Sequence, residues 1–361
     1  MRPSGFVTRF AGWPPAAARL VLAGLAALML YGAAIGLVPG LAPPLPPSLA
    51  ATGDDPQASD AALYGAIAAR VAGGEGYYAA AVAEHRLRDY PLKPFVTVRP
   101  PTLATLQAGL GMAGAGLLLA LLVAVALVVL ARRLETALPG GRRWIVVLAL
   151  VAVGISFALL PVFVVWHEAW AAVLIVLSLA CRSPRRYGVG LLVGLLAVAI
   201  REIALPYLLV MAVLAALEGH RREALAWFLA ILTACGLLAA HAAMVAAATL
   251  PTDLASQGWL RAAGWPFVVT TIRNCTALAF LPLAAAGVLV PVCLLGWAAW
   301  AAPLGNRIAL LLLGYAGAFL AFGRPENFYW GLLVAPLVLA GLAFAPAALA
   351  DLWRAAFTGR R

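Results

Sequence analysis

Three groups of ionisable residues interrupt stretches that are otherwise apolar: His167-Glu168, Arg201-Glu202 and Arg324-Pro325-Glu326-Asn327. An ionisable side chain in a membrane helix costs ~2.5–3.5 kcal/mol on insertion scales, so such groups persist where they pair or line a cavity. Arginine has a specific use in such a place. Its planar fork holds phosphate through two parallel hydrogen bonds and never loses its charge. A carboxylate supplies the complementary function, a base that orients a hydroxyl and takes its proton late. More carboxylates gather in an early hydrophilic stretch as Asp54-Asp55 and Asp60, with Tyr64 one helical turn beyond Asp60 and Arg99 near the stretch's end. Facing one side of a membrane, these groups would form a single polar chamber at a lipid–water boundary. The carboxylates of interest are Asp60, Asp55 and Asp54, and the cations are Arg201, Arg324 and Arg99. Glu202, Glu168, His167, Tyr64, Glu326 and Asn327 complete the set.

Each group also has a purely structural reading. Asp60 follows Ser59 at a helix start, where the helix dipole favours an acid. Asp54-Asp55 before Pro56 suits a turn. Arg201-Glu202 reads as a neutralised pair holding short helices together. Trp166 and Trp170 flank His167-Glu168 as an aromatic belt would, and Arg324-Pro325-Glu326-Asn327 reads as a solvated turn. His241, inside an apolar run, reads as a helix-packing hydrogen bonder.

The elements that must position these residues are transmembrane helices. Of the 361 residues 65% are hydrophobic and only 11% charged, far from a soluble domain. Apolar runs bounded by charge predict roughly ten spans: 17–38, 103–131, 144–165, 169–181, 188–200, 203–217, 225–249, 276–302, 308–322 and 331–349. The expected class is an all-α polytopic membrane protein, one transmembrane domain over 1–361. It has a first outer loop at 39–102 and a second outer segment at 251–275. The N-terminal apolar run carries no small-residue cleavage signal and reads as a retained span. Four scattered cysteines, Cys181, Cys235, Cys275 and Cys293, suggest neither a disulfide framework nor a metal site.

With both termini inside, most of the 25 Lys and Arg residues fall in cytoplasmic loops and most of the 14 acids fall outside. That is the bias the positive-inside rule expects, and it explains a net charge of +11 without a nucleic-acid partner. The bias favours 188–217 as a hairpin over one long helix, which would invert everything downstream. A helix of 188–200 is only about 20 Å long, short of a hydrocarbon core near ~30 Å. The turn at Arg201-Glu202 is therefore expected in a dip on the outer face, as is His167-Glu168. The Gly32/Gly36/Gly40 and Gly190/Gly194 spacings read as tight helix packing. Arginine far outnumbers the single lysine, Lys93, which with abundant Ala, Gly and Pro matches GC-rich bacterial coding.

In the first outer loop, Leu63, Tyr64, Ile67 and Val71 recur at helical spacing, an amphipathic stripe suited to the interface plane. Asp60 and Tyr64 share a face of that helix. Aromatic clusters follow at Gly76-Tyr77-Tyr78 and Tyr90-Pro91-Leu92-Lys93-Pro94-Phe95. The pattern Asp60-Ala61-Ala62-Leu63-Tyr64, then Gly76-Tyr77-Tyr78, resembles the GT-C superfamily of membrane glycosyltransferases. It is most similar to the branch that uses polyprenyl-phosphate-mannose-like donors.

That resemblance implies a first-loop carboxylate as catalytic residue, here Asp60, and interfacial helices over a cavity facing away from the cytoplasm. It implies transfer of a sugar from a polyprenyl-phosphate donor to a glycan or lipid acceptor at the outer face of a bacterial inner membrane. Membrane lipids are the surrounding partners. The oligomeric state is open. No cofactor is predicted; Asp54-Asp55, His167 and Glu168 include donors a divalent metal accepts, but no spacing selects one. The alternative class is a carrier, either a lipid-linked-sugar flippase or a small-solute transporter.

Overall fold

The computed structural model describes residues 7–43, 59–139 and 141–358; Asp54 and Asp55 lie outside the described residues. The described chain is helical, with only isolated bridging pairs in place of strands. In chain order the helices are α1 (Pro15–Leu37), α2 (Asp60–Ala72), α3 (Tyr77–Leu87), α4 (Thr102–Ala137), α5 (Arg143–Ser156), α6 (His167–Cys181) and α7 (Gly188–Ile200). Then come α8 (Leu205–Leu217), α9 (Arg221–Ala248), α10 (Gly264–Asn274), α11 (Leu283–Ala299), α12 (Pro303–Ala321), α13 (Ala335–Val338) and α14 (Ala345–Phe357).

Four helical stretches are long and apolar enough to cross a membrane: Pro15–Leu37, Phe95–Ala137, Arg221–Ala248 and Pro303–Ala321. A fifth exists if Pro325–Leu333 and Ala335–Ala343, bent by 59°, count as one span. These helices are those of a membrane-embedded protein. The remaining expected spans correspond to shorter apolar helices. Several depart from the regular rods the hydropathy suggests. The run 331–349 is a broken succession of tight 3-10 turns and short helices: Pro336 and Pro346 remove backbone donors, and Gly331 and Gly341 let the bare backbone press against Thr271 and Cys293. The run 144–165 leaves the α-helix at Ser156, ahead of Pro161, and 276–302 becomes α-helical only after Pro282. Within α4, Gly111 adopts φ 70° and ψ 165°, a break that only glycine makes at low cost.

The chain divides into two compact units. One comprises 1–46, 130–155 and 260–361; the other comprises 47–129 and 156–259. In the first, α1 lies directly on α11. A side chain at Gly32 would strike the backbone of Gly287, and one at Gly36 would strike Ala284. At Gly40, by contrast, no described residue lies within 4 Å of where a side chain would begin. α14 closes the unit through Ala348 and Leu352, which pack with Phe10, Ala18 and Ala299. Thr8 fastens the N-terminal segment by donating to Asp351 Oδ2 at 2.9 Å.

The second unit is built on α6 to α9, which run alternately up and down. Gly190 on α7 meets Ser178 on α6 and Arg182 just beyond its end, and Gly194 meets Tyr207 and Leu208 on α8. In one straight helix residues 194 and 208 would be roughly 21 Å apart. A Cβ at Gly194 would instead sit 3.3 Å from Leu208 Cδ2, so 188–217 is a hairpin. Its turn is Arg201, extended at φ −144° and ψ 108°, followed by the 3-10 turn Glu202–Ala204. Pro206, in the first turn of α8, cannot donate to a preceding helix and reinforces the break. α6 is buried from His167 to Ala180 and is the centre of the unit. α2 and α3 pack on each other, with Leu63, Tyr64, Ile67, Ala81 and Val82 in one cluster.

Candidate functional site

The site lies at the end of the bundle where α6 begins and the α7–α8 hairpin turns. Residue types explain how the backbone arrives there. α6 starts after the 3-10 turn Pro161–Val165, which puts His167 and Glu168 in its first turn. Arg201 and Glu202 occupy the hairpin turn itself. From the loop, Ser59 caps α2 by accepting from the Ala62 N–H at 3.2 Å, which fixes Asp60 as the first helical residue. Tyr64 follows one turn later on the same face and is buried. Arg99 comes in just before α4, its carbonyl accepting from the Tyr77 hydroxyl at 2.5 Å.

These side chains form a closed circuit. Arg201 Nε donates to Glu168 Oε1 at 2.5 Å, and its Nη1 donates to Glu202 Oε1. Glu202 Oε1 lies 3.8 Å from Arg99 Nη1. Arg99 Nε donates to Tyr64 Oη at 3.0 Å, and its guanidinium stands 5.7 Å from the Tyr64 ring centroid. The Tyr64 ring meets His167 edge-on at 4.8 Å, which returns the circuit to α6. Burial pushes the Tyr64 phenol well above its ordinary range, with Arg99 pulling the other way, so Tyr64 is neutral and its oxygen accepts. Asp60 joins from the first turn of α2, and the Tyr90 hydroxyl donates to its Oδ1 at 2.8 Å.

The electrostatics follow from this count. Arg201 is 1% exposed and Glu168 0%, so the pair is desolvated and holds only because both charges are present. Three carboxylates, Asp60, Glu168 and Glu202, stand with two guanidiniums, Arg99 and Arg201. Among the described residues, His167 Nδ1, Glu168 Oε2 and Glu202 Oε2 are buried and find no hydrogen-bond partner.

The structure therefore brings Asp60, Tyr64, Arg99, His167, Glu168, Arg201 and Glu202 together. Arg324, Glu326 and Asn327 belong to the other compact unit. There Arg324 Nε lies 3.7 Å from Glu326 Oε2, and the Arg324 N–H donates to Asn327 Oδ1 at 3.2 Å, a turn that closes on itself. Trp170 is no belt residue: it is buried and donates to the Val164 carbonyl at 2.8 Å. His241 accepts from Tyr78 at Nδ1, 3.1 Å, and donates from Nε2 to the Val98 carbonyl, 3.0 Å, tying α9 to the loop. Among the described residues no group of three or more His, Cys, Asp or Glu is placed to hold a metal.

Comparison with protein-family models, curated proteins and solved structures gives no match.

Two features were not legible from residue spacing. Tyr90 is 30 positions from Asp60 and read only as part of an aromatic cluster. Arg182 falls between the apolar runs 169–181 and 188–200, where hydropathy alone gives it a place in a loop. It is in fact buried, donating from Nε and Nη2 to the two oxygens of Glu223, each at 2.6 Å. Arg182 Nη2 also reaches Glu218 Oε2 at 3.3 Å, so the loops 182–187 and 218–220 meet at one end of the bundle.

Proposed function

We propose that this chain is an integral-membrane glycosyltransferase of GT-C type. It moves a sugar from a polyprenyl-phosphate donor to a glycan or lipid acceptor at the extracytoplasmic face of a bacterial cytoplasmic membrane. The observation that carries the reading is the Asp60 carboxylate, oriented by a neutral phenol beside a buried ring of arginines and glutamates. The ring sits at the end of three helices, α6, α7 and α8, that are too short to fill a bilayer on their own. α7 and α8 have 13 residues each, about 20 Å, whereas α9 has 28, about 42 Å. In a membrane of ~30 Å hydrocarbon thickness their shared turn lies in a depression beside α9. A lipid-linked substrate reaches such a place from the side.

In this reading about ten helices embed the chain and both termini are cytoplasmic. The meeting of Arg182 with Glu218 and Glu223 supports that layout, because it joins the two loops that the charge bias assigns to the cytoplasm. The opposite end, with Arg201 and Glu168, is then extracytoplasmic.

The chemistry is a displacement at the sugar's anomeric carbon. The acceptor hydroxyl oxygen forms the new C–O bond while the bond from that carbon to the phosphate oxygen breaks. The bonding pair leaves with the polyprenyl phosphate, and the hydroxyl proton passes to Asp60. Asp60 acts late along this path, chiefly by orienting the hydroxyl. Arg99, whose Nε is bonded to the neutral Tyr64 oxygen, is assigned to the charge developing on the leaving phosphate. Arg201, held between two carboxylates, organises the ring. Glu168 Oε2, Glu202 Oε2 and His167 Nδ1 accept from sugar hydroxyls.

The test is transfer by purified protein from a panel of polyprenyl-phosphate sugars. Asp60→Asn is expected to abolish it while melting like the parent, with Asp54→Asn and Asp55→Asn measured alongside. Normal turnover in all three variants removes the catalytic assignment.

A lipid-linked-sugar flippase or small-solute transporter is the second reading. One observation favours it: buried ion clusters stand at both ends of the same bundle. Movement of a labelled lipid-linked sugar across proteoliposomes, with no transfer to any acceptor, would select it.

A further inference from the structure

We propose that Tyr90 is the positioning residue for Asp60, holding one carboxylate oxygen so that the other meets the acceptor hydroxyl. The proposal rests on the glycosyltransferase reading and assigns a role to a residue that no motif contains.

Three observations carry it. The Tyr90 hydroxyl donates to Asp60 Oδ1 at 2.8 Å, and among the described residues this is the one side-chain hydrogen bond made by that carboxylate. The bond joins the first residue of α2 to a loop 30 positions away, so no local helix or turn requires it. A carboxylate held by one oxygen keeps its second oxygen for a donor along a defined direction.

Tyr90 is itself held in place. Its backbone N–H donates to the His85 carbonyl at 2.8 Å, and its ring meets the buried His85 ring edge-on at 6.1 Å. Asp89, just before it, has φ 54°, a left-handed conformation that aspartate adopts more readily than most side chains. Just beyond, Leu92 N–H donates to the Leu254 carbonyl at 2.9 Å and Ser256 N–H to the Lys93 carbonyl at 2.7 Å. A surface tyrosine that happened to touch Asp60 would need none of this support.

The residue type also fits the task. A cationic partner would neutralise Asp60 and blunt it as a base, whereas a phenol orients without cancelling the charge. Burial, with the nearby Asp60 charge, pushes the Tyr90 phenol far above its ordinary range, so it remains a donor at every working pH. The charged groups nearby are Arg88, which lies by Tyr90 and pairs with Glu84, and Arg99, which faces Tyr64.

The experiment uses the full-length protein in lipid nanodiscs and compares Tyr90→Phe with the parent. Transfer from the donor that the parent uses is expected to fall roughly ten- to hundredfold in kcat, the range for losing a hydrogen bond to a charged group. KM for that donor stays within about twofold. The second readout needs no activity. The infrared carboxylate band of Asp60, isolated as the difference between parent and Asp60→Asn spectra, shifts in Tyr90→Phe. Should Tyr90→Phe not fold, 3-fluorotyrosine at position 90, a stronger donor of the same shape, shifts the band in the opposite direction. A band unmoved by either change overturns the proposal, as does unchanged kcat. A parent protein inactive with every donor, but with the band shift intact, overturns the glycosyltransferase reading and upholds the Tyr90–Asp60 pair.

Discussion

Arg201 Nε stands 2.5 Å from Glu168 Oε1, and both side chains are out of reach of solvent. This contact joins the first turn of α6 to the turn between α7 and α8. It fixes the depth at which the α7–α8 hairpin reverses and holds the ring of charges to which Tyr64 and Arg99 are bonded. The geometry makes Arg201 a structural centre before any substrate arrives.

Removing one member of a buried pair leaves the other charged and unpaired, at a cost of about 3–5 kcal/mol. Arg201→Ala is therefore expected to lose stability of that order. Replacing both members, Arg201→Met with Glu168→Leu, should recover part of the loss, since the charge on Glu168 is gone while Glu202 keeps Arg99 at 3.8 Å. Unfolding in detergent, read as a double-mutant cycle, measures the coupling. A single variant that melts like the parent would show that this pair bears no load.

The meeting of Arg182 with Glu218 and Glu223 predicts sidedness. In a background lacking Cys181, Cys235, Cys275 and Cys293, cysteines placed at the exposed Arg185 and Arg221 should react with an impermeant maleimide from one and the same side, the cytoplasm under the layout proposed above. Cysteines at the exposed Gly74 and Thr252 should react only from the other. Labelling of positions 185 and 221 from opposite faces would dissolve the bundle described above.

Acid should loosen the strap between the loop and the segment after α9. Arg86 donates to both Asp253 oxygens, at 2.7 and 2.8 Å, and the Leu250 N–H donates to Oδ2 at 2.6 Å. Led by the Arg86 hydrogen bonds, these contacts hold the Asp253 carboxyl down at about 2. A folded-state value below the unfolded ~3.9 stabilises fully above that unfolded value, and the gain fades as pH falls through about 2. Asp253→Asn should thus melt lower than the parent near neutral pH, with the gap closing by pH 2. The pair is partly exposed, so the gap will be small. A gap that stays constant from neutral pH down to 2 would mean the ion pair is not its source.

Much of the architecture was legible in residue order because the membrane imposes it locally. Apolar runs bounded by arginine became helices, and the break at Arg201 followed from a charged pair between two runs each too short to span. The α2 stripe of Leu63, Tyr64 and Ile67 is the face that packs. The proline-rich run 331–349 read as one span by hydropathy, yet Pro336 and Pro346 deny it a continuous ladder of hydrogen bonds. The role of Arg201 was open between phosphate ligand and neutralised pair, and its two bonded carboxylates make it the centre of the pair.

Residue order by itself determined the membrane class, the helical segments, the charge bias between loops and the identity of the polar residues that burial would force together. Tertiary structure alone decided which of them meet: Tyr90 with Asp60, Arg182 with Glu223, and Arg201 with a glutamate on another helix. Hydropathy acts residue by residue and can be read along a chain. The pairing of charges depends on which helix ends arrive at the same place, and that is set by packing between segments far apart in sequence.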